Sequence, residues 1–119
     1  MESVAVILGS AFQDSMPQAL NLQRIEIQTA WGKQALYHAK DFLRPAYILF
    51  RHGLPHQLLP NQINYRSQAQ ALEKVDCGAL LITSSVGVMD SDLPLFEPML
   101  LSDLMMQKYK HFLEFYSNQ

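Results

Sequence analysis

The 119-residue sequence is 49% apolar and 17% charged, with a formal net charge of −2 when histidines are neutral. This balance suits one domain with its own core and excludes a disordered chain, while the scattered basic residues give no nucleic-acid footprint. The lone cysteine, Cys77, is expected to be a buried thiol and excludes an intrachain disulfide framework; no leader peptide and no apolar run of the ~20 residues needed to span a membrane is visible, so the expected compartment is the cytoplasm.

The run VAVILG (4–9) is continuously apolar and ends in glycine, which predicts a buried strand stopping at a turn. RIEIQTAWG (24–32) alternates at Ile25 and Ile27, as a half-buried strand does, and KQALYHA (33–39) reads as its return strand. PAYILF (45–50) is a second apolar strand, with Pro45 at its start, where a missing N–H does least harm. Gly53, Pro55 and Pro60 interrupt residues 51–61. Asn61 then caps an expected helix from about Gln62 to Val75, with Tyr65, Ala69 and Leu72 on one face. ALLITSSVG (79–87) predicts a third buried strand ending in a small-residue turn. From Asp103, the spacing of Leu104, Met105, Lys108, Phe112 and Tyr116 predicts a helical tail at about 103–117. The order implies an α/β fold, a mixed sheet flanked by helices, in a single domain over 1–119.

Three strand ends carry the candidate chemistry, because open α/β sheets bind ligands beyond the carboxyl ends of their strands. GSAF (9–12) offers turn amides and the Ser10 hydroxyl to an oxyanion. RHG (51–53) sets Arg51, a planar donor fork suited to phosphate, beside the titratable His52. TSSVG (83–87) adds the hydroxyls of Thr83, Ser84 and Ser85. Taken singly, each has an ordinary structural reading: a turn, a surface ion pair with a satisfied histidine, and hydroxyls capping a strand end. His52 and His56 share a spacing that suits zinc on a helix, but Gly53 and Pro55 oppose a helix there and no carboxylate or cysteine completes the ligand set. No metal is expected. A nucleophilic serine is not supported either, since the G-x-S-x-G elbow is missing.

Three stretches, VAVILGSAF, LFRHGLPHQLLPNQINYRSQAQAL and ALLITSSVGVM, together resemble the purine nucleoside phosphorylase superfamily, most of all its methylthioadenosine and methylthioinosine phosphorylase branch. The resemblance runs over roughly residues 3 to 104 and is to the N-terminal half of such proteins. It implies a pentosyltransferase of purine salvage, with phosphate as co-substrate and no cofactor. Phosphate attacks the anomeric carbon as the purine leaves, giving base and ribose 1-phosphate. By resemblance, Ser10, Arg51, His52, Ser84 and Ser85 bind phosphate, and Val86 and Gly87 line the base and ribose. His56, Asn64 and Tyr65 shape the loop around them.

The sequence departs from the family pattern at Ala11, where a glycine is usual, and at PLFEP after Val88, where a proline-glycine-aspartate turn is usual. The ribose clamp and the group facing the purine belong to the second half of the family and have no counterpart here. Two functions of different class are therefore expected in competition. One is the N-terminal part of a nucleoside phosphorylase that works only with a missing portion or a second polypeptide; a homo-oligomer or a complementing chain is the expected partner. The other is a shortened, non-catalytic homologue that acts as an interaction or oligomerisation module and keeps residual phosphate or sulfate binding. Neither nucleic acid nor membrane is an expected partner.

Overall fold

A computed structural model describes residues 2–9, 20–54 and 57–103. They contain five strands: β1 (Ser3–Leu8), β2 (Leu22–Thr29), β3 (Gly32–Ala39), β4 (Ala46–Phe50) and β5 (Cys77–Ile82). One helix, α1 (Tyr65–Lys74), lies between β4 and β5. The strands form one sheet in the order β2-β3-β4-β1-β5. β3 runs antiparallel to both of its neighbours, β2 and β4, while β4, β1 and β5 are parallel. The expected mixed α/β sheet is what the chain forms. Residues through Val86 make one compact unit and a second begins at Gly87.

Alternation explains the two core layers. β1 sends Ala5 and Ile7 to one face, where they meet Leu36, Leu49 and the α1 residues Ala71 and Leu72. On the opposite face Leu8, Tyr37, Ile48 and Phe50 pack together, with Val6, Leu20, Leu22 and Leu54 around them. Tyr37 meets Phe50 edge to face at 5.3 Å between ring centroids. A strand covered on both sides needs apolar residues at every position, and this is why β1 and β4 read as unbroken apolar runs. The β2–β3 pair turns at Ala30 and Trp31, in register from Leu22↔Ala39 to Thr29↔Gly32. Gly32 sits at φ +114°, a value that side chains disfavour.

Four expectations need correction. The α1 cap is Asn64, not Asn61: its side chain accepts from the Ser67 amide at 3.1 Å, while Pro60–Gln62 form a separate turn of 3-10 helix. The buried face of α1 is also different. Ser67, Gln68, Ala71 and Leu72 are buried, whereas Tyr65 and Ala69 are exposed. Ser67 tolerates burial because its hydroxyl donates to Gln34 Oε1 at 2.7 Å and Gln68 because its amide has a carbonyl partner. Finally, β5 is not a buried strand. Leu80, Leu81 and Ile82 are 44%, 54% and 59% exposed, because among the described residues β5 is an edge strand with β1 as its neighbour. Cys77, at its start, is half-buried rather than buried, with Sγ against Ala79 O at 3.3 Å.

Residues 87–103 contain no helix or strand, and their large apolar side chains, including Met89, Phe96 and Leu100, are exposed. The expected tail helix from Asp103 lies, apart from its first residue, outside the described residues. No helix among the described residues is long and apolar enough to cross a membrane.

Candidate functional site

The topology gathers the strand ends by itself. β1 is central, β4 lies on one side and β5 on the other, and all three point the same way. The strand order reverses at β1, which is where open sheets leave a crevice. Register aligns Leu8 with Phe50 and Ile7 with Ile82, so Gly9 leaves the sheet beside Arg51, and Thr83 leaves it beside Leu8, one residue earlier. The ladder runs one bond further on each side: Arg51 N donates to Leu8 O at 2.9 Å and Thr83 N to Ile7 O at 3.0 Å.

Arg51 bridges these ends. Its Nη2 donates to the carbonyl oxygen of Thr83. Its Nη1 lies so close to Gly9 that a Cβ there would stand 3.1 Å from it. The guanidinium therefore crosses from β4 over the end of β1 to β5. Glycine at position 9 leaves room for that close approach, since a Cβ would press the guanidinium aside by a few tenths of an ångström. A fork with five N–H donors and one bond to a carbonyl retains capacity for an oxyanion.

His52 follows on a tight turn. Gly53 has φ 86° and its amide donates to Phe50 O at 3.0 Å. The His52 carbonyl accepts from the amides of Gln57 and Leu58, at 3.0 and 3.1 Å. Its Nδ1 stands 2.9 Å from Leu58 O, so Nδ1 carries the proton. The loop thus fixes both backbone and ring of His52.

Thr83 spends its hydroxyl on Ile7 O at 3.0 Å, which is the strand-end capping expected of it as a structural residue. Ser84, Ser85 and Val86 continue from it and are exposed. Gly87 opens the second unit, and a Cβ built on it would meet nothing within 4 Å. Asn64 caps α1 and its Nδ2 donates to Trp31 O at 2.9 Å, so it secures the helix to the β2–β3 turn. Tyr65 begins α1 and is 58% exposed. Ser10 and His56 lie outside the described residues. Among the described residues, no group of three or more His, Cys, Asp or Glu side chains is placed to hold a metal ion.

Gln68 was missed in the sequence. Its buried side chain donates to Arg51 O at 3.1 Å, joining α1 to the arginine. The available signal was a polar residue on the same helical stripe as Ala71, Leu72 and Val75.

No family model matches the chain. Relatives do. It is 34% identical over 92 residues to a probable S-methyl-5'-thioinosine phosphorylase of Methanopyrus kandleri, covering 77% of this chain and 34% of the relative. It is 30% identical over 118 residues to a probable 6-oxopurine nucleoside phosphorylase of Thermococcus kodakarensis, covering 94% of this chain and 42% of the relative. Among solved structures, methylthioadenosine phosphorylase from Schistosoma mansoni in complex with adenine superposes with a TM-score of 0.69 at 29% identity, over 79% of this chain and 34% of that one. Matched segments thus span about a third to two-fifths of the length of these relatives. Sequence likeness and backbone likeness point the same way, and the chain belongs to the purine nucleoside phosphorylase superfamily, in its methylthioadenosine and methylthioinosine phosphorylase branch.

Proposed function

We propose that this chain forms the phosphate-binding end of a cytoplasmic purine nucleoside phosphorylase. The reaction is phosphorolysis of a nucleoside such as methylthioadenosine, methylthioinosine or inosine, with phosphate as co-substrate and no cofactor. The carrying observation is the path of Arg51, which brings a guanidinium from β4 across Gly9 to the Thr83 carbonyl. Arg51 and His52 would hold two phosphate oxygens, and Ser84 with Ser85 would offer hydroxyl and amide donors from the β5 side. Ser10 completes the cradle on sequence grounds, and Val86 and Gly87 line the base and ribose. His56, Asn64 and Tyr65 support the loop.

Positive charge develops on the ribose as the purine leaves. A phosphate held at that point is both nucleophile and counter-charge, so the cradle supplies positioning and electrostatic stabilisation together. Ribose and base contacts are needed as well, because only interactions stronger in the transition state accelerate the reaction. The chain by itself is therefore proposed to bind phosphate without efficient turnover. Turnover requires a missing portion or a second polypeptide that supplies those contacts, and the expected partner is a homo-oligomer or such a complementing chain.

A second reading is a non-catalytic interaction module with residual anion binding. The exposed apolar side chains of Leu80, Leu81 and Ile82 on an edge strand favour it. Phosphorolysis assays of the purified chain with each nucleoside and phosphate separate the readings. Robust turnover eliminates the non-catalytic module and shows that this chain suffices. Phosphate binding without turnover, lost in Arg51→Ala, supports the phosphate-binding part of the proposal. Failure to bind phosphate at all removes the cradle.

A further inference from the structure

Arg51 and His52 are joined by one peptide group, and that group is where α1 touches the candidate site. Its oxygen, Arg51 O, accepts from Gln68 Nε2 at 3.1 Å. The peptide is planar, so fixing the direction of its oxygen fixes the plane from which both residues depart. Gly53 N donates to Phe50 O at 3.0 Å and closes a turn in which this is the central peptide, and turns closed by that same bond differ in which way the central peptide faces. Arg51 N is tied to Leu8 O, one peptide earlier, and His52 O accepts from Gln57 and Leu58, one peptide later. Gln68 is 5% exposed, so its amide exchanges poorly with water as a partner and its loss leaves a carbonyl near the site without that donor.

We infer that Gln68 is a positioning residue: from α1 it orients the Arg51–His52 peptide and so aims the guanidinium and the imidazole at one anion. The inference rests on the phosphate-binding reading given above. It also explains a polar residue on a stripe that otherwise buries Ala71, Leu72 and Val75 against the sheet. A leucine or methionine would fill that space at lower desolvation cost, yet could not hold the peptide. Ser67 supplies the internal comparison. It is equally buried on the same helix, but its hydroxyl bonds Gln34 and the Asn64 carbonyl and has no bond to Arg51 or His52.

The test uses the full chain, inorganic phosphate, and the variants Gln68→Met and Ser67→Ala. Methionine keeps the length and removes the donor. Phosphate affinity should fall at least tenfold in Gln68→Met, while Ser67→Ala lowers the melting temperature and leaves affinity within twofold. Equal affinity in wild type and Gln68→Met overturns the inference and leaves the phosphate-binding reading standing. So does an equal loss in both variants, which would mark a general effect of loosening α1. Absence of phosphate binding in the wild type overturns the phosphate-binding reading itself, and the inference with it. Should Gln68→Met not fold, the Gln68 side-chain amide resonance of the wild type decides. It must shift during the phosphate titration with the same midpoint as the Arg51 and His52 signals, and an unmoved resonance overturns the inference.

Discussion

Arg51 donates from its guanidinium to the main-chain carbonyl of Thr83, tying the end of β4 to the end of β5 across β1. The bond is made to main chain, so its acceptor does not depend on which side chain stands at position 83. It also sets the arginine fork at the parallel strand ends without using a carboxylate. A carboxylate partner would neutralise the cation that an anion needs, whereas a carbonyl orients it and leaves its charge.

Position 9 tests how tightly that orientation is held. In Gly9→Ala the new methyl would stand 3.1 Å from Arg51 Nη1, so the guanidinium must give way. We expect phosphate binding to weaken at least fivefold while circular dichroism stays that of wild type. Calorimetric titration of both proteins checks this, and unchanged affinity would show that the close approach is unimportant to the site.

Exposure along the sheet predicts opposite outcomes for two leucines. Leu49 in β4 is fully buried, so Leu49→Ala should cost about 2–5 kcal/mol in urea unfolding. Leu81 in β5 is 54% exposed, so Leu81→Lys should cost under ~1 kcal/mol and should reduce self-association in sedimentation experiments. A large loss of stability in Leu81→Lys would mean that β5 is covered in solution.

Asn64 serves α1 twice, as acceptor for the Ser67 amide and as donor to Trp31 O. Asn64→Ala should lower stability by about 0.5–2 kcal/mol, the usual range for a lost cap. Asn64→Asp keeps the acceptor and loses the donor, and should fall between the two in thermal melts. Arg66 stacks over the Trp31 ring at 4.6 Å and holds the same contact from a second side.

The acid limb of stability has a small, assignable component. The Arg24 guanidinium hydrogen-bonds Glu26 and holds its carboxyl below the usual glutamate value. A lowered folded-state value means stabilisation present above the unfolded glutamate value and lost as pH falls through the folded one. The pair is solvent-exposed, so the effect is slight. Glu26→Gln should flatten the stability-against-pH curve slightly on that acidic side and leave it unchanged near neutrality.

Much of this fold was legible because its signals are local. VAVIL and YILF announce doubly covered strands, and the alternation at Ile25 and Ile27 announces the hairpin. Pro45 falls immediately before β4, as its missing donor requires. Other features depend on partners that a single segment does not reveal. The apolar run of β5 looks the same whether its cover comes from this chain or another, so its exposure was not readable. The buried face of α1 was misread because Ser67 and Gln68 are polar, and only their distant partners, Gln34 and Arg51, make them core residues. Asn61 reads as the cap because it precedes the helical run, but the turn at Pro60–Gln62 takes up the next residues and the cap falls at Asn64. At the site, the sequence pointed to three strand ends, and parallel register places Gly9, Arg51 and Thr83 together. That the Thr83 carbonyl receives Arg51 is a backbone matter that no side-chain pattern announces.

The central claim is that these strand ends form one anion site. The most direct measurement is a phosphate titration of the full chain followed at the amides of Gly9, Arg51, His52, Ser84 and Ser85, with Arg51→Ala in parallel. The account predicts that these signals saturate together with one midpoint and that Arg51→Ala abolishes the response. Silent signals, unrelated midpoints, or an undiminished response in Arg51→Ala would contradict it.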